Sequence, residues 1–224
     1  MKNKVMASLV CGMLVTSVGL AAPQVDVPKG ELNIEYTYTP DTSNDLTLNP
    51  GGMSGDRDGK ASQYGLTYGF EKGYALYLSS GEYKLDPFVS GLSSLTPKLE
   101  VKDLQIQKKL DNNVAAFIGV KQLTTKIDED TPSGTLGAHT DDQNLWEVGV
   151  IGKTRLFKKT DGYAKVGFGN DLKEYKVGLT YDLAKNAQFD LGYGYLSVDN
   201  LDLVGSDSYD ATSKGWYYGL NVKF

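Results

Sequence analysis

The chain holds one cysteine and one histidine in 224 residues, and after Leu20 it has no apolar run long enough to cross a bilayer as a helix. Each shortage excludes something. Cys11 lies in the amino-terminal segment, so loss of that segment leaves no disulfide and no cysteine metal site. A helical span needs about 20 consecutive apolar residues. A mature chain that enters a membrane must therefore do so as a closed barrel, because an open sheet edge in lipid leaves backbone groups unsatisfied. Basic residues are also scarce. Without Lys2 and Lys4, 21 of them face 28 acidic residues, a formal charge of −7 that argues against nucleic acid as a partner.

The first residues differ from the rest. Lys2 and Lys4 give a positive start, Val5 to Leu20 is apolar or small, and Gly19-Leu20-Ala21-Ala22 offers small residues for cleavage. The pattern predicts a secretory signal over residues 1–21, cut near Ala21 or Ala22, with residues 22–224 as the mature domain. The apolar stretch is too short for a span, and no stop-transfer charge follows it. A lipid anchor on Cys11 would need a small residue where Val10 stands and a longer apolar run upstream.

What is abundant is strand and turn material, 26 Gly and 15 Tyr. From Leu32 apolar and polar residues alternate, with Leu32, Ile34, Tyr36 and Tyr38 on one face and Asn33, Glu35 and Thr37 on the other. The period of two returns at Tyr64 to Phe70, Val114 to Lys121, Trp146 to Val150, Ala164 to Phe168, Tyr175 to Asp182 and Gln188 to Tyr195. It closes the chain as Trp216, Tyr218, Leu220, Val222 and Phe224 against Tyr217, Gly219, Asn221 and Lys223. Two less regular strands are expected at about Tyr74 to Ser80 and Lys102 to Leu110.

The connections alternate in length. Short turns are expected at Glu71-Lys72-Gly73, Asp111-Asn112-Asn113, Lys158 to Gly162 and Ala184-Lys185-Asn186. Longer polar segments are expected at about Pro40 to Lys60, Gly81 to Lys98, Gln122 to Gln143 and Asp199 to Lys214, with a short one near Gly169 to Leu172. Four turns on one rim and five connections on the other predict an all-β fold, a transmembrane antiparallel up-and-down β-barrel of ten strands, with eight as the alternative.

The facing distinguishes a membrane barrel from a soluble one, whose apolar face points inward. The polar face carries Glu35, Glu147, Lys153, Lys165, Lys176 and Asp190 among many glycines, which suits a crowded polar interior. On the apolar face, Tyr36, Tyr38, Tyr64, Trp146, Phe168, Tyr175, Tyr195, Trp216 and Tyr218 fall toward the long connections. Phe70, Tyr74, Tyr181, Phe189 and Phe224 fall toward the short turns. Leu66, Ile118, Val148, Leu191 and Leu220 lie between, so two aromatic girdles flank an aliphatic band. A one-residue slip would turn Glu147, Lys176 and Asp190 to lipid, where a midplane lysine costs about 2–4 kcal/mol.

The closing run Gly215 to Phe224 resembles the carboxy-terminal strand of small bacterial outer-membrane β-barrel proteins, a porin-like family. The hairpin pair Val177-Gly178-Leu179-Thr180-Tyr181-Asp182-Leu183 and Phe189-Asp190-Leu191-Gly192-Tyr193-Gly194-Tyr195 resembles hairpins of the same family. That resemblance implies a Gram-negative cell envelope, the outer membrane as location, and recognition of the strand ending in Phe224 by the barrel-assembly machinery.

Function is expected to reside in the loops, as structural or surface-binding and adhesion work around a lumen filled by paired side chains, with Tyr77 or Tyr217 among them. The alternative is a narrow porin-like channel, since inward glycines leave room. An outer-membrane hydrolase, omptin-like or lipid-modifying, is weighed below both. The single His139, near Asp141 and Asp142, matches no motif of that kind, and no strand supplies a histidine beside a serine. No catalytic, cofactor or metal residue is therefore assigned, and no enzyme activity is expected. The expected partners are outer-membrane lipid, lipopolysaccharide and an extracellular ligand at the loops. The acidic residues Asp128, Glu129, Asp130, Asp199, Asp202, Asp207 and Asp210 match no calcium-loop spacing.

Overall fold

Alternation with a period of two gives each strand one apolar and one polar face, and ten such strands close here into a ring. The computed structural model describes residues 22–49, 54–90, 93–131, 134–139, 142–202 and 208–224. Along the chain run β1 (Leu32–Asn49), β2 (Ser54–Gly69), β3 (Tyr74–Leu85), β4 (Phe88–Ser90), β5 (Ser93–Lys109) and β6 (Val114–Thr131). They are followed by β7 (Gly134–His139), β8 (Gln143–Phe157), β9 (Thr160–Gly169), β10 (Leu172–Ala184), β11 (Ala187–Asp202) and β12 (Ser208–Lys223). The short β4 and β7 pair only with β5 and β6 and extend those hairpins. The other ten form the barrel, each antiparallel to its neighbours, with β1 on β12 as the seam and β5 on β6 completing the ring.

The expected facing is present throughout. Tyr36 stands opposite Tyr64 and Leu220, and Ile118 opposite Ile106 and Val148, all exposed on the outer wall. Glu35, Glu147, Lys165, Lys176 and Asp190 are buried inside. The girdles are made of touching rings. Tyr36 meets Tyr64 at 5.0 Å, Tyr38 meets Tyr218 at 5.6 Å, and Tyr175 meets both Phe168 (5.9 Å) and Tyr195 (5.6 Å). At the other rim Tyr68 meets Phe70 at 5.0 Å, and the Lys108 ammonium lies 4.0 Å from the centre of the Tyr74 ring.

The short turns lie where expected. At Glu71–Gly73 the chain reverses through left-handed backbone at Lys72 (φ 61°) and Gly73 (φ 73°). The long rim differs. The stretches 40–60, 81–98, 122–143 and 199–214, expected as loops, are largely continued strand. β1 and β6 reach 18 residues and β5 17, where a tilted span needs about 9–11.

The cause is a change in which parity carries the apolar residues, seen on β5, β8 and β11. On β5 Leu104 and Ile106 face out, whereas Leu99 and Val101 are buried inside. Trp146 faces out while Leu145 is inside, and Tyr193 and Tyr195 face out while Leu196 and Val198 are inside. Below this level the surroundings are hydrocarbon and apolar groups point outward. Above it they are water, and the same ladder carries its apolar groups inward, as in a soluble barrel. Read on one parity alone, the upper segments look like polar loop. Pro40 sits at a shift of register between Tyr38 and Asp41, where a missing N–H is tolerated.

Leu191, exposed in the aliphatic band, and Gln188, buried in the lumen, give the test of facing. Leu191→Arg is expected to cost about 2–4 kcal/mol of folding free energy in lipid vesicles. Gln188→Asn is expected to fold normally, as read by heat-modifiable gel mobility. Equal tolerance at both positions would contradict the facing.

Candidate functional site: the filled lumen

Inward parity gathers the charged residues of distant strands at one level. Lys121 on β6 places its Nζ 3.0 Å from Asp103 Oδ2 on β5, 3.1 Å from Glu174 Oε2 on β10 and 3.8 Å from Glu147 Oε1 on β8. Glu174 also faces Lys165 at 3.1 Å and Lys176 at 2.9 Å. Gln105 donates to Asp103 (2.8 Å) and to Glu147 (2.5 Å), and the Lys165 ammonium lies 4.6 Å from the centre of the Phe117 ring. Charges this deeply buried are tolerable only because each lies against opposite charge or a polar donor. Toward β1 the same level is continued by Glu35, which accepts a 2.8 Å bond from the Tyr77 hydroxyl.

Directly above lies an apolar layer that includes Leu99, Leu123, Leu145, Leu172, Leu196 and Tyr209. It is the inner lining of the strand extensions. Below, the lumen is occupied by the segment that precedes β1. Pro28 passes so close to Gly69 that a Cβ there would lie 2.1 Å from its carbonyl oxygen, which only glycine permits. Asp26 pairs with Lys109 at 2.6 Å, Val25 packs on Ala115, Phe117 and Ile151, and Ala22 packs on Tyr163 and Tyr217, whose hydroxyls are 2.7 Å apart. Residues 22–29 thus run from the β2 wall to the β9 and β12 walls. A cavity among Pro23, Gln24, Glu35, Tyr77, Gln105 and Lys165 measures about 10 Å³, room for about one water, and a wider one of about 260 Å³ opens at the short-turn end among Gln24, Asp26, Lys153, Asp161, Gln188 and Lys223.

The inward glycines, expected to leave space, have it taken by neighbours. A Cβ on Gly65 would lie 2.3 Å from Glu35 Oε1. Tyr77 and Tyr217 are both buried in the lumen with hydroxyl partners, as the sequence suggested. The occupancy by residues 22–29 was not foreseen. Its only trace in the sequence is the run Pro23, Val25, Val27 at the start of the mature domain, ahead of the first expected strand.

Of the acidic rim residues, Asp128 pairs with Lys98 at 2.5 Å and Asp199 with Lys173 at 3.5 Å. Asp210 accepts a 2.9 Å bond from the Asn200 backbone N–H. Among the described residues no three His, Cys, Asp or Glu side chains come together as metal ligands. His139 ends β7, opposite Lys126. Its side chain, those of Glu129, Asp130 and Asp202, and all of Asp141 and Asp207 fall outside the described residues, as does the signal segment 1–21.

No protein-family model matches the chain, and no curated protein matches it in sequence. Solved structures do. The outer membrane protease OmpT of Escherichia coli aligns with a TM-score of 0.54 at 10% identity, over 87% of this chain and 97% of that one. Ail, the attachment invasion locus protein of Yersinia pestis, aligns at 0.45 and 13% identity over 88% and 100%. Neisserial surface protein A aligns at 0.46 and 13% identity over the same shares. At such identities the likeness is one of fold, that of a bacterial outer-membrane β-barrel.

Lys121→Met would leave Asp103, Glu147 and Glu174 without their shared cation. It is expected to lower unfolding free energy by about 3–5 kcal/mol, read by urea titration in vesicles. Lys173→Ala, which breaks an exposed pair, should change it by less than about 1 kcal/mol. Equal effects would show that the buried cluster carries no special weight.

Proposed function

We propose that this outer-membrane barrel does not conduct and acts as a rigid mount for its long rim, in structural or surface-binding and adhesion work. The observation that carries the reading is the filling of the lumen at three successive levels. Residues 22–29 occupy the short-turn end, the cluster around Lys121 and Glu174 the middle, and the layer around Leu99, Leu145 and Leu172 the long-rim end. A solute would have to break buried ion pairs and displace apolar packing in one passage.

The strand extensions favour the same role. They carry the long connections well above the upper girdle on paired backbone rather than on free loops, and rigid presentation lowers the entropy lost on binding. The girdles and aliphatic band supply lipid contact, lipopolysaccharide faces the outer girdle, and an extracellular ligand would meet the rim. The strand ending in Phe224 remains the proposed signal for assembly in the membrane.

Single-channel recording of the refolded chain from residue 22 in a planar bilayer tests this reading. The expected record is flat although the barrel is folded. Steady ohmic steps would overturn it in favour of a narrow channel.

A further inference from the structure

Asp190 on β11 is fully buried, and neither of its carboxylate oxygens has a hydrogen-bond partner of full geometry. Its register neighbours are Thr180 on β10 and Gly219 on β12, which bring no cation. The ammonium groups that act on it, Lys153 and Lys223, do so from beyond ion-pair distance, and Lys153 lies 3.7 Å from Asp161 instead. The hydroxyls of Tyr163 and Tyr217 also face this space, and the buried Glu35 carboxylate adds a like charge to it. A buried carboxylate without a countercharge is costly, so whatever stands in front of it matters. Ala22, itself fully buried, packs on the same two tyrosines, which brings its backbone nitrogen within reach of the carboxylate.

We propose that the leader is cut between Ala21 and Ala22, and that the α-ammonium so created is the buried ion partner of Asp190. The flanking residues select this bond. Leader cleavage asks for small residues one and three positions before the cut, which Ala21 and Gly19 supply, whereas a cut after Ala22 would put Leu20 at the third position. Hydrolysis by a leader endopeptidase adds the hydroxyl of water to the Ala21 carbonyl carbon and its proton to the Ala22 nitrogen. That nitrogen then takes a second proton from solvent. A neutral amide with one donor becomes a cation with three, at the place where a carboxylate lacks one. A chain beginning at Pro23 would set its charge about 3.8 Å further along the backbone. Processing thus completes the lumen's electrostatics and fastens residues 22–29 at the end remote from β1. This holds whether or not the barrel conducts.

The test uses the protein isolated from outer membranes of an expressing bacterium. Its intact mass should be that of residues 22–224. Acylation near neutral pH, where α-amines react ahead of lysines, should modify Ala22 about tenfold or more slowly in the folded barrel than in the urea-unfolded chain. Asp190→Asn should remove that protection in a barrel that still folds. A chain refolded with one added glycine before Ala22 should lose it too, leaving Asp190 untouched. A mass beginning at another residue, an amine equally reactive in folded and unfolded chains, or protection unchanged by either alteration would overturn the proposal.

Discussion

In hydrocarbon no water is at hand to satisfy a backbone N–H or C=O, so a strand can cross only inside a ring that leaves no edge. Every other feature of this molecule follows from the closure of β1 on β12 and β5 on β6. Closure gives each strand one face to lipid and one to a lumen of fixed girth. The outer face then has to be apolar, and the inner face inherits every charge that the spanning segments carry.

The inner face meets that obligation by cross-pairing. Lys121 is shared among carboxylates from β5, β8 and β10, and Glu174 among lysines from β6, β9 and β10. Such a lattice ties non-adjacent walls together across the lumen, and its strength depends on every member being present. The apolar layer above it answers a different solvent. Where the barrel rises out of lipid into water the parity of the apolar residues inverts, so the outer boundary of the membrane is written into the strands between Leu104 and Val101 and between Trp146 and Leu145. The barrel is thus packed with side chains at both levels.

Much of this was legible in the sequence because lipid contact imposes a rigid period of two. Trp216 to Phe224 and Tyr175 to Tyr181 show it without interruption, and each faces as expected. The strand extensions were not legible, since Leu196 and Val198 lie on the opposite parity from Leu191 and Tyr193, and a pattern that changes phase resembles a loop. Residue types in the lumen could be named but not their partners. Lys121 and Glu174 stand 53 positions apart, and no local pattern encodes that meeting. The burial of Ala22 is further still from local signals, because it depends on the shape of a lumen that exists only once the ring is closed.

The two tryptophans report directly on the facing of the spanning strands, since Trp146 and Trp216 are 52% and 62% exposed on the outer wall. Intrinsic fluorescence should be measured after refolding into vesicles of lipids brominated along the acyl chain. Strong quenching of both residues by the brominated chains is expected, with little effect of acrylamide in the aqueous phase. Fluorescence indifferent to brominated lipid but quenched by acrylamide would place the tryptophans in water and contradict that facing.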